Sequence, residues 1–297
     1  MELALHIGAH RTGTTSLQQG LRKAAEALAA AGVTVWGPDQ MRVPGRHHHA
    51  RNLRRAGTDP EAARAAAGAR AEVAAAQAAL MRGGCKRLVV TEENLLGTME
   101  GNLASAALYP HAASNLAAAR DLLGRVPGEV VLAVRDYAGY WTSAYAQCVL
   151  MREMPPFDAP ALTAAPRGWP EVVADVAAVF PEAWLTVLLY GPGCAAEVLE
   201  ALLPGGLAGA VRLPARASNA ALSARGLRKF AALRRRTGPF DPARRRATVT
   251  EMRKIGGAPF QPFNARDVRL LAARFEDDWE RIAGLGVRIA SPGEAAR

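Results

Sequence analysis

The chain has 297 residues, half of them hydrophobic and 22% charged, the balance of a globular protein rather than a fibrous, collagen-like or disordered one. Lysine and arginine exceed aspartate and glutamate by ten, a surplus that attracts anions such as nucleic acid, nucleotides or sulfated and phosphorylated compounds. No apolar run reaches the roughly 18 to 20 residues that span a bilayer.

The opening Met-Glu-Leu-Ala-Leu has an acid at Glu2 and no basic lead, so no secretory signal and a cytoplasmic location are expected. Residues 2–8 (ELALHIG) read as a buried strand ending at glycine. A helix is predicted over 14–31, with Leu17, Leu21 and Leu28 on one side, and a strand over 33–36. The alanine-rich stretch 60–82 reads as an exposed helix opened by Pro60 and stopped by Gly83-Gly84. Residues 86–91 form a third strand, 112–124 a helix, 128–134 a fourth strand and 137–152 a helix. The proline-rich stretch 155–170 reads as a long loop over the active site. A strand follows at 184–190, then helices near 193–203, 218–236 and 265–283, a short strand at 286–290 and a frayed end at 291–297. Short apolar strands alternating with helices predict one α/β domain over 1–297, its mainly parallel sheet covered on both faces. Its C-terminal part, about 218–285, is helical. Ligands bind such sheets at the carboxyl ends of the strands. Cys85, Cys148 and Cys194 are far apart and form no CxxC pair, which predicts reduced thiols and no metal site.

Directly after the first strand comes Gly8-Ala9-His10-Arg11-Thr12-Gly13-Thr14-Thr15, then a helix. Loop amides and a helix start aimed at one place make an anion site. Gly13 admits close approach of a phosphate, and Thr14 and Thr15 add hydroxyls. Against the triphosphate-binding pattern G-x-x-x-x-G-K-[ST], Gly8, Gly13 and Thr15 match, but Thr14 stands where lysine is required. A cation sits three residues earlier, at Arg11.

The run His6-Ile7-Gly8-Ala9-His10-Arg11-Thr12-Gly13-Thr14-Thr15-Ser16-Leu17-Gln18 resembles the 5′-phosphosulfate loop of sulfotransferases. It is most similar to bacterial members that open with H-I-G-x-x-K-T-G-T-T-S-L-Q. The usual lysine is Arg11 here, which keeps the charge and adds a planar fork. The resemblance has specific motifs over about the first 150 residues and implies a P-loop-like three-layer α/β sandwich. It also implies 3′-phosphoadenosine 5′-phosphosulfate as co-substrate, bound by Arg11, Thr12, Gly13, Thr14, Thr15 and Ser16 without a metal. Arg135, at the end of the fourth strand, and Ser143, eight residues on, match the pair that grips the 3′-phosphate. Arg253-Lys254-Ile255-Gly256-Gly257 is a loose counterpart of the family's late basic-glycine loop, against an ordinary solvated loop. The related proteins often carry S-x-E-N-L where this chain has Thr91-Glu92-Glu93-Asn94-Leu95. The match favours Glu93 over Glu92 as base, with a helix-capping acid as the plainer reading.

His10 lies in the loop, either on the donor or in a structural role. The run His47-His48-His49 reads as a solvated loop; the resemblance instead gives His48 or His49 a place in the acceptor pocket, or even the role of base. Tyr137, Tyr140, Trp141 and Tyr145 read as packing, with one of them free to stack on adenine, and Cys148 as core. The function expected is sulfuryl transfer to a hydroxyl or amine of a small-molecule or glycan acceptor. Arg11, Glu93 and His10 are the catalytic candidates, and no nucleic-acid partner is expected. Two alternatives stand beside it. One is a kinase or other nucleotide-binding enzyme of the triphosphate-loop type, which needs Mg²⁺. The other is a non-catalytic module that binds anions with a steep salt slope.

Overall fold

The computed structural model describes residues 1–214 and 221–290. Its strands are the near-continuous apolar runs of the sequence: β1 (Glu2–His6), β2 (Val33–Trp36), β3 (Arg87–Thr91), β4 (Glu129–Val134), β5 (Trp184–Leu189) and β6 (Arg288–Ala290). They form one sheet in the order β2-β3-β1-β4-β5-β6, and every pairing is parallel. A strand buried on both faces needs apolar residues at every position, which is why these strands do not alternate with polar residues.

The two-residue period of a strand divides each run between two cores. Leu3, Leu5, Leu88, Val90, Val130 and Leu132 point to one face, and Ala4, Val89, Val131, Ala133 and Leu188 to the other. The first face is covered by the helices Pro60–Arg82, Ala112–Leu123, Tyr137–Met151, Trp169–Val179 and Ala265–Ala283. The second is covered by Thr14–Lys23, Ala25–Ala30 and Cys194–Leu202. The result is a three-layer α/β sandwich. A smaller cluster, Val149, Leu222, Leu227, Phe230 and Phe240, seats a hairpin of helices Ala224–Thr237 and Pro242–Arg253 on the outer part of Tyr137–Met151. Among the described residues no helix is long and apolar enough to cross a membrane.

Several elements differ from the sequence reading. The expected helix 14–31 is two helices that join at Ala24, which leaves helical dihedrals (φ −91°, ψ 6°) while its amide still bonds Gly20 O. The stretch 60–82 is not exposed all round: Ala62, Ala66, Ala69, Val73 and Gln77 are buried along one side. The stretch 155–170 is not one continuous loop. It contains the helix Ala159–Thr163, and Phe157 packs edge-on against Tyr145, Phe260 and Phe263. Pro38, Pro44, Pro160 and Pro242 stand in the first turns of helices the sequence reading lacked or read as loop. There the missing N–H costs nothing. The expected frayed end at 291–297 and residues 218–220 of the expected helix 218–236 lie outside the described residues.

Candidate functional site

β1 sits between β3 and β4. After β1 the chain crosses to the β2–β3 side, and after β4 to the β5 side. The crevice at the carboxyl ends of β1 and β4 is therefore the switch point where such sheets take ligands. Both candidate phosphate elements open onto it.

The loop after β1 is tightly built. Ile7 and Ala9 still donate to Val131 O and Ala133 O, at 3.0 Å each, so the backbone tracks β4 before it turns. A Cβ on Gly8 would meet Nε2 of the buried His6 ring at 2.5 Å. That ring is held by Thr91 Oγ1 at 2.9 Å. Thr12 Oγ1 donates to Ala9 O at 2.6 Å, which turns its hydroxyl into the loop. Arg11 and Gly13 both have positive φ, 69° and 85°. Gly13 heads Thr14–Lys23 with no capping side chain and no acid in the first turn, so the positive end of that helix carries no counter-charge from its own residues. Thr14 Oγ1 is buried without a partner among the described residues.

The left-handed turn at Arg11 sends its guanidinium to the helix Tyr137–Met151. Nε donates to Ser143 Oγ at 2.8 Å and Nη1 to Gln147 Oε1 at 3.3 Å. Arg135 Nη1 donates to Arg11 O at 3.1 Å, and its guanidinium lies 5.2 Å over the Tyr190 ring. Burial, with the Arg135 charge beside it, pulls Arg11 below its ordinary value. Two cations held this close favour an anion between them.

The acids divide. Glu92 is buried and takes both Arg42 Nε (2.8 Å) and Nη2 (2.7 Å), as well as the Asn94 amide (2.9 Å). It locks the turn after β3. Glu93 faces the crevice, with Arg42 Nη2 at 3.0 Å and Gln18 Nε2 at 3.3 Å. Burial alone would raise its carboxyl, but His10, a backbone amide and Arg42 together hold it below the usual glutamate range. Gln18 also donates to Thr91 O at 3.2 Å. The two ends of the loop motif, His6 and Gln18, thus clamp the strand that presents Glu93.

His10 is 6% exposed. Its amide donates to Tyr109 OH at 2.9 Å, Nδ1 accepts from the same hydroxyl at 2.9 Å, and Nε2 donates to Asn94 Oδ1 at 3.0 Å. Burial keeps the imidazole below its ordinary value. With both nitrogens engaged, it orients Asn94 and the loop.

A cavity of about 440 Å³ gathers His10, Arg11, Gly13, Thr14, Thr15, Ser16, Glu93, Arg135 and Ser143. Of the sequence-derived set only Thr12 does not line it. Ser143 accepts from Arg11 Nε and shares the cavity with Arg135. The run 47–49 is not a solvated loop: it ends the helix Pro44–His47 and starts His49–Arg55, and His49 is buried. Tyr137, Tyr140 and Trp141 are core, and Tyr145 stacks on Phe260. Burial pushes the Cys148 thiol up to about 11, unsuited to a nucleophile. Arg253 lines a second cavity of about 350 Å³ with Arg245 and Arg246, sharing Arg11 and Ser143 with the first, while Lys254 pairs with Glu251 at 2.8 Å. The sequence reading missed Arg42, Gln147 and Tyr190. Tyr190 follows directly on β5, so the strand-end rule could have found it; the other two carry no local signal. Among the described residues no three His, Cys, Asp or Glu side chains cluster as metal ligands.

Comparison with family models, curated proteins and solved structures gives no match to this chain.

Proposed function

We propose that the protein transfers a sulfuryl group from 3′-phosphoadenosine 5′-phosphosulfate to a hydroxyl or amine. The observation that carries this reading is the convergence of Arg11, Arg135 and an uncapped helix start on one crevice, with an ionised Glu93 on the same cavity. The unpartnered Thr14 hydroxyl fits a ligand oxygen there.

In this reading the acceptor oxygen or nitrogen attacks sulfur in line. A bond to sulfur forms as the sulfur–oxygen bond to the 5′-phosphate breaks. The electron pair leaves with that phosphate, and the acceptor proton passes to Glu93. Arg11, the helix start and the hydroxyls of Thr14, Thr15 and Ser16 stabilise the charge that grows on the leaving phosphate, much as in phosphoryl transfer. Arg135 and Ser143 take the 3′-phosphate, with the basic cavity of Arg245, Arg246 and Arg253 beside them. His10 and Asn94 hold the loop and the Glu93 turn in place.

The test is calorimetric titration with 3′-phosphoadenosine 5′-phosphate, against AMP and against ATP with and without Mg²⁺. Tight, metal-independent binding that needs the 3′-phosphate is the expected result. A preference for Mg·ATP, or no binding, would overturn the reading.

A further inference from the structure

A third cavity, of about 360 Å³, lies behind the Glu93 turn and shares Arg42 and Asn94 with the donor cavity. The sequence reading leaves the acceptor open. We propose that this cavity holds the acceptor, and that the acceptor is an anionic hydroxyl compound, an alcohol carrying its own carboxylate or phosphate. The inference rests on the sulfuryl-transfer reading.

The charge of the lining carries the first half. The acid on the wall, Glu92, is already bound twice by Arg42. Arg51 and Arg54 stand three residues apart on the helix His49–Arg55, hence on one face, and both line the cavity. Neither is in an ion pair among the described residues. Arg54 has only a long contact to Asn115 Oδ1, at 3.4 Å. Two unpaired guanidinium forks at one rim suit a carboxylate or a phosphate.

His49 carries the second half. It lines the cavity and is 1% exposed. Its Nε2 lies 2.8 Å from Asp121 Oδ2, a carboxylate that also binds Arg70 at 3.0 Å. The carboxylate can only accept, so Nε2 carries a proton. Nδ1 is buried with no partner among the described residues. A hydroxyl, which can donate or accept, satisfies it; a hydrocarbon does not. Apolar Leu95, Leu96 and Leu122 complete the wall, as the carbon framework of a ring requires.

The test is titration of the full-length protein, with and without saturating 3′-phosphoadenosine 5′-phosphate, with three probes: digalacturonate, glucose 6-phosphate and cellobiose. The charged probes are expected to bind at least about tenfold more tightly than cellobiose. The tighter of the two tells carboxylate from phosphate. The double variant Arg51→Gln/Arg54→Gln should lose the preference while nucleotide affinity stays within about twofold. Equal affinity for all three probes, a preference unchanged in the double variant, or no heat from the charged probes at about 10 mM would overturn the inference. If the nucleotide fails to bind but the charge preference persists and falls in the variant, the cavity's anion chemistry stands. Its role as an acceptor site then falls with the transfer reading.

Discussion

Glu92 and Glu93 are neighbours of identical chemistry with opposite environments, and their variants should separate accordingly. Glu93→Gln should lower kcat by about 10² to 10³ and leave nucleotide affinity unchanged. Glu92→Gln breaks a buried bidentate pair whose partner Arg42 is 38% exposed. It should therefore cost about 2 kcal/mol in urea denaturation, less than a fully buried pair. Because Glu93 is held below the ordinary glutamate range, its base form persists to low pH, and the acid limb of kcat should lie below that of an unperturbed glutamate in a pH–rate profile. For Arg135→Ala, binding of 3′-phosphoadenosine 5′-phosphate should weaken much more than binding of AMP; equal losses would remove Arg135 from the 3′-phosphate. His6 behaves differently. Burial lowers its pKa to about 4, so between about pH 6.5 and 4 the unfolded chain binds a proton that the folded chain does not. Stability is fully present above that window and falls through it as pH drops, by about 3 kcal/mol for this group. Urea denaturation at pH 7 and pH 4.5 checks this, and His6→Gln should flatten the difference.

At the scale of elements, what the sequence revealed follows from length. β1, β3, β4 and β5 are mainly apolar runs, and Ala265–Ala283 is a helix long enough for its apolar stripe to repeat. The pieces Pro38–Met41, Pro44–His47 and His49–Arg55 have 4, 4 and 7 residues. None shows a period, and their prolines read as breaks although they sit at helix starts. This is why Arg42, which holds both glutamates, and the cavity beside His49 were invisible in one dimension. The glycine loop, Arg135 and Glu93 were legible because each sits where a recognisable strand ends. The long helix Pro60–Arg82 gives a clean test of such signals. Asp59 accepts from the amides of Glu61 and Ala62 at 3.0 and 3.1 Å, so Asp59→Ala should cost about 1 kcal/mol by thermal denaturation. An unchanged midpoint would mean the cap is redundant with the packing of Ala66, Ala69 and Val73.

Over the whole molecule the charge is far from uniform. Residues 224–254 hold eleven of the 37 lysines and arginines and two of the 27 acids, so nine of the ten net positive charges fall there. They belong to the hairpin Ala224–Thr237 and Pro242–Arg253, whose Arg245, Arg246 and Arg253 reach the cavity next to Arg11 and Ser143. The rest of the chain is close to neutral. A charge set to one side of a binding site acts at a distance, and it acts on encounter more than on escape. Stopped-flow association of 3′-phosphoadenosine 5′-phosphate should slow by more than about tenfold between roughly 0.05 and 0.5 M salt, while dissociation changes far less. The hairpin is then a collector: it governs how often an anion arrives at the crevice, and the buried groups govern how long it stays.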